Sequence, residues 1–93
     1  TLIDLECGGK CGIDQNGIKN LKLLKILKFN GNKKINNVNH LANTLIELDC
    51  SNSEINYDGI KNLEVLRTLI MYNNSNITNV NHLKNTLVEL YCD

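Results

Sequence analysis

The chain has no proline, no tryptophan and one phenylalanine, Phe29. Aromatic residues are only 4% of it, and ten basic side chains are balanced by ten acidic ones. With neither stacking aromatics nor a basic surplus, the composition argues against a dedicated nucleic-acid binder. Zero net charge argues equally against a protein held on a charged membrane surface. No apolar run approaches the ~18 residues of a membrane span. No basic start followed by a continuous apolar core, the form of a secretory leader, occurs in these residues. A nucleophile–base pair, a phosphate-binding loop and a metal cluster are also missing, which leaves an enzyme without support. Apolar residues at 42% and charged residues at 22% still suffice for one small folded domain of 93 residues.

What is present is repetition. Residues 1–7 read TLIDLEC, 44–50 TLIELDC and 86–92 TLVELYC, a period of 43 and then 42 residues. GIKNL spans 17–21 and recurs as far as Gly59-Ile60-Lys61-Asn62-Leu63; NVNHL recurs at 37–41 and 79–83. A shorter period lies inside the long one. Leu2, Leu24, Leu45, Leu66 and Leu87 each open L-x-x-L-x-Φ, with Φ apolar: Cys7, Phe29, Cys50, Met71 and Cys92. The units run 2–23, 24–44, 45–65 and 66–86, with the first strand of a fifth at 87–93, and they alternate between two subtypes.

Leu24-x-x-Leu27-x-Phe29-x-x-Asn32, followed by Ile35, Val38 and Leu41, resembles the leucine-rich repeat family. Leu66-x-x-Leu69-x-Met71-x-x-Asn74, followed by Ile77, Val80 and Leu83, resembles it equally. The other two units carry Lys10 and Ser53 at the asparagine position, so their turns are expected to be built differently. The resemblance implies an α/β leucine-rich repeat solenoid. Its parallel β-sheet would line the concave face, with short 3₁₀, α or irregular turns on the convex face. It also implies capping of free backbone groups by Asn32 and Asn74. Asn37 and Asn79 are expected to cap the convex turns, and Gly17 and Gly59 to lend backbone freedom to the variant ones. A competing amphipathic helix over Ile18–Lys28 fits the lysine spacing at 19, 22, 25 and 28. The equivalent residues 60–70 keep the apolar positions without those lysines, which disfavours it.

The repeat also bears on the four cysteines. Cys7, Cys50 and Cys92 share one core column, two strand steps or about 9–10 Å apart, too far to bridge. They read as small buried apolar residues. A Cys7–Cys11 bridge is geometrically conceivable but is expected to draw Cys7 from the core. Free thiols give a weak lean toward a reducing compartment. His40 and His82, about 10 Å apart by the same spacing, read as convex residues beside core leucines. Asn73-Asn74-Ser75 and Asn76-Ile77-Thr78 are glycosylation sequons, relevant if the protein is secreted; frequent asparagine accounts for them by chance.

The outward strand positions hold Asp4 and Glu6, then Lys25 and Lys28, Glu47 and Asp49, Arg67, and finally Glu89 with Asp93. The sign alternates from strand to strand, and opposite charges on neighbouring strands favour their stacking. Toward the C-terminus Ile70, Tyr72 and Tyr91 join this face, the kind of anchors that interfaces use. The family implies non-enzymatic protein recognition through the concave face, with Ile70, Tyr72, Tyr91, Lys28, Asp49 and Glu89 as partner-binding residues. The alternative is a structural repeat in a fibre, shell or surface assembly. Expected partners are another protein, further repeats or copies of the chain; no cofactor is implied. The lack of polar capping units in these residues, with the strand phase, leads to the expectation of an excerpt from a longer array.

Overall fold

A computed structural model describes residues 2–93; Thr1, the first residue of the TLIDLEC run, lies outside the described residues. Five three-residue strands, β1 (Asp4–Glu6), β2 (Ile26–Lys28), β3 (Glu47–Asp49), β4 (Thr68–Ile70) and β5 (Glu89–Tyr91), form one sheet. They lie in chain order and every neighbouring pair is parallel. Parallel neighbours need a crossover, and here each crossover is brief. It contains either a one-turn helix, α1 (Gln15–Ile18) or α2 (Tyr57–Ile60), or a 3₁₀ turn at Asn39–Leu41 or Asn81–Leu83. The two kinds alternate, as the two sequence subtypes do. The architecture is a solenoid-like α/β repeat. Ile26–Lys28, placed in a helix by the competing reading, is strand β2.

Register follows from the leucines. Leu5, Leu27, Leu48, Leu69 and Leu90 are successive partners across the sheet. Leu27, Leu48 and Leu69 are fully buried. The Φ column continues the core with Cys7, Phe29 and Cys50, and Ile35, Val38, Leu41, Ile55, Ile60 and Leu63 close it from the crossover side. One hydrophobic cluster runs through the units, so each buries its apolar side against its neighbours. Leu90, with a strand on one side only, is 44% exposed.

The turns after the strands bind the units together. Asn32 is buried, and its Nδ2 donates to the carbonyls of Cys7 (3.2 Å) and Ile13 (3.0 Å) in the preceding unit. Its Oδ1 accepts from the Lys34 amide at 2.9 Å. Asn74 repeats the arrangement: Nδ2 donates to the Cys50 carbonyl (3.1 Å) and Ser53 Oγ (3.4 Å), and Oδ1 accepts from Asn76 N. The variant turn is indeed built differently, since Ser53 Oγ donates to the Cys50 carbonyl within its own turn at 2.8 Å. Asn37 and Asn79 accept from the first residue of each 3₁₀ turn, Asn39 and Asn81. Gly17 and Gly59 do not lend unusual backbone angles; positive φ occurs at Gly31 (82°), Asn52 and Asn73. The need for glycine at 59 is one of space, because a Cβ there would meet the Asn36 carbonyl and the Ile55 side chain.

The cysteine expectation is corrected. Cys7 and Cys11 form a disulfide, with Cα atoms 5.2 Å apart. The bridge does not draw Cys7 from the core, where it stays 1% exposed. The chain turns back after β1 through a Cys11 N to Gly8 O bond of 3.0 Å, which brings Cys11 inward instead. In the equivalent turn of the third unit, Glu54 stands where Cys11 would be and the Ser53 hydroxyl closes the turn. Cys7, one of the three core thiols behind the lean toward a reducing compartment, is therefore bridged. Cys50 and Cys92 are free, the first buried and the second exposed.

Candidate functional site

The sheet face turned away from the core is made of residues that alternate with the buried leucines. Two rows cross it: Asp4, Ile26, Glu47, Thr68, Glu89 and Glu6, Lys28, Asp49, Ile70, Tyr91. Lys25 and Arg67 belong to neither. Each precedes its strand by one residue, and their expected places are held by Ile26 and Thr68. Simple alternation of charge therefore fails in the first row. Ile26, half-buried, was legible as an outward residue from its two-residue offset to Lys28.

In the second row alternation survives from β1 to β3. Lys28 Nζ lies 3.4 Å from Glu47 and 3.9 Å from Glu6. The hydrogen bond to Glu47, assisted by the charges of Glu47, Glu6 and Asp4, raises the Lys28 pKa above its ordinary value. Asp49 is in register with Lys28 but turns its carboxylate to the Ser51 amide, 3.0 Å away. Lys28 and Asp49 thus serve the sheet and its turn. The other clustered lysines, at 19, 22, 25, 33 and 34, are exposed, and none takes part in an ion pair among the described residues.

The character changes at β4. Ile70 is the direct partner of both Asp49 and Tyr91. Tyr72 follows two residues after Ile70 and is 43% exposed; Tyr91 is 40% exposed. Tyr91 is oriented by its hydroxyl, which donates to Glu89 Oε2 at 2.7 Å. That bond, with the Glu89 charge, pushes the Tyr91 pKa up. The other Glu89 oxygen accepts from the Thr68 hydroxyl at 3.4 Å. Tyr72 is fixed through its backbone, whose amide donates to Ser51 Oγ at 2.9 Å. The six expected residues therefore divide. Ile70, Tyr72 and Tyr91 form an apolar, hydroxyl-edged patch, Glu89 holds Tyr91, and Lys28 and Asp49 lie beyond it.

The histidines act on the opposite side. His40 Nε2 lies 3.0 Å from the Ile18 carbonyl, and His82 Nε2 lies 3.2 Å from that of Ile60. Each joins its unit to the one before. Burial lowers the His40 pKa, against a smaller opposing effect of the bond to Ile18. Burial also pushes the Cys50 thiol up to about 12, which suppresses its thiolate. Among the described residues no three His, Cys, Asp or Glu side chains group as metal ligands, and no helix is long and apolar enough to cross a membrane. Compared with protein-family models, curated proteins and solved structures, the chain matches none.

Proposed function

We propose that the chain is a leucine-rich repeat array that recognises a protein partner, without catalysis, through the concave face of its sheet. The observation that carries this reading is the change along that face. From β1 to β3 Glu6, Lys28, Glu47 and Asp49 are engaged with one another or with the backbone, whereas β4 and β5 present Ile70, Tyr72 and Tyr91 side by side. Tyrosines offer large contact area at low conformational cost and leave a hydroxyl to fix orientation. Glu89 pre-orients Tyr91 and so reduces what a partner must order on binding.

A photo-crosslinking side chain at Tyr72, compared with one at His82, tests the reading. One discrete protein adduct from Tyr72 and none from His82 is expected. Alanine at 70, 72 and 91 together should remove the interaction with the identified partner while the melting temperature and circular dichroism hold. Unchanged affinity in that triple variant would refute the reading.

A second reading, a structural repeat element of a fibre, shell or surface assembly, is favoured by the near-identical recurrence of TLIDLEC, TLIELDC and TLVELYC.

A further inference from the structure

The second and fourth units share one turn design, which permits a position-by-position comparison within the chain. After β2 the turn reads Gly31-Asn32-Lys33-Lys34-Ile35-Asn36; after β4 it reads Asn73-Asn74-Ser75-Asn76-Ile77-Thr78. The demanding positions keep their character. The first has positive φ in both, the second is a buried asparagine, and the fifth is a buried isoleucine. The Lys34 and Asn76 amides both donate to the asparagine carbonyl of their own turn, at 2.9 and 3.0 Å. The remaining positions are exposed, so the core places no demand on their side chains. At those positions the fourth unit exchanges Lys33, Lys34 and Asn36 for Ser75, Asn76 and Thr78. These exchanges supply the acceptor and hydroxyl of one sequon and the hydroxyl of the other.

A sequon has chemical meaning only where the transferring machinery operates, which is an oxidising compartment in secreted proteins. The Cys7–Cys11 disulfide is an independent sign of such a compartment, because cytosolic thiols are kept reduced. From these two observations we infer that Asn76 is an N-glycosylation site. In the transfer, Asn76 Nδ2 bonds to C1 of an oligosaccharide carried on a lipid pyrophosphate. The C1–O bond breaks, the lipid pyrophosphate leaves with the bonding pair, and one amide proton passes to a base. Nothing is oxidised or reduced. One amide hydrogen remains, so the bond of Asn76 Nδ2 to the Glu54 carbonyl (3.3 Å) is compatible with the modification. Asn76 and Thr78 are both exposed and lie past the strand, in the turn that leads to the 3₁₀ segment. Asn73, the other acceptor, directly follows Tyr72, and its backbone amide donates to Asp93 Oδ2 at 3.3 Å. A glycan on Asn76 leaves the tyrosine patch open; one on Asn73 would crowd it. The inference stands whether or not the recognition reading does.

The test is peptide mapping of the protein isolated from its native cells, unreduced, with enzymatic deglycosylation in heavy-oxygen water. The expected result is a Cys7–Cys11 linked peptide together with heavy-oxygen label at Asn76, in a peptide heavier than its sequence mass before treatment. Label confined to Asn73 would overturn the assignment. So would an Asn76 peptide found only at its unmodified mass, with Cys7 and Cys11 bridged or free.

Discussion

Asn32 and Asn74 show how a single side chain can hold a repeat together. Each is buried, and each amide supplies two donor contacts to the preceding unit and one acceptor to its own turn. Asn74→Ala leaves the Cys50 carbonyl with only the Ser53 hydroxyl and takes the partner of the Asn76 amide away, at a cost of about 1–3 kcal/mol in all. Urea denaturation should show that loss, and Asn76→Ala should show almost none. The Cys7–Cys11 bridge closes a five-residue loop, for which the chain-entropy model gives about 2 kcal/mol. Cys11→Ser is expected to lower stability by that amount and to abolish any further effect of reductant, read by thermal melts with and without it. His40 contributes a pH dependence. Its folded pKa lies below the unfolded value of 6.5, so the unfolded chain binds the proton more readily. The contribution is therefore complete above that pH and is lost as pH falls through it toward the folded pKa. Melting temperatures between pH 8 and pH 5 should fall less steeply in His40→Gln.

At the scale of the element, the strands are too short to be set by local propensity. Three residues per strand do not outweigh the entropy of ordering them; the leucine column and the next unit do. This explains what was legible. The strand positions, the parallel order and the two kinds of crossover follow from Leu5, Leu27, Leu48, Leu69 and Leu90, because a repeat makes each position report several times. Deviations that occur once were harder. Cys11 has no counterpart in the third unit, so the repeat gave no cue that the turn would bring it to Cys7. Lys25 misled because charge drew attention away from the two-residue alternation that puts Ile26 outward. On the face itself, Ile70, Tyr72 and Tyr91 were legible, but the engagement of Asp49 with Ser51 depends on a turn geometry that spacing does not specify. The glycine positions give a direct check. Gly59→Ala should cost about 1–3 kcal/mol, since the added methyl overpacks against Asn36 and Ile55. Gly12→Ala, with nothing within 4 Å, should be tolerated in the same denaturation series.

Over the whole molecule, stability depends on stacking, and the interior strands carry more of it than the last. Leu48→Ala removes a fully buried side chain from the middle of the core and should cost about 2–5 kcal/mol. Leu90→Ala, at a residue already 44% exposed, should cost far less. The functional question turns on what meets β4 and β5, which present the tyrosine patch. A recognition module keeps that patch free and remains single; a structural element covers its end with another copy. Light scattering of the 93-residue chain over a hundredfold concentration range, with negative-stain images of the same samples, separates the two most directly. A constant mass equal to one chain is expected. Ordered filaments that grow with concentration would contradict it and put the structural reading in its place.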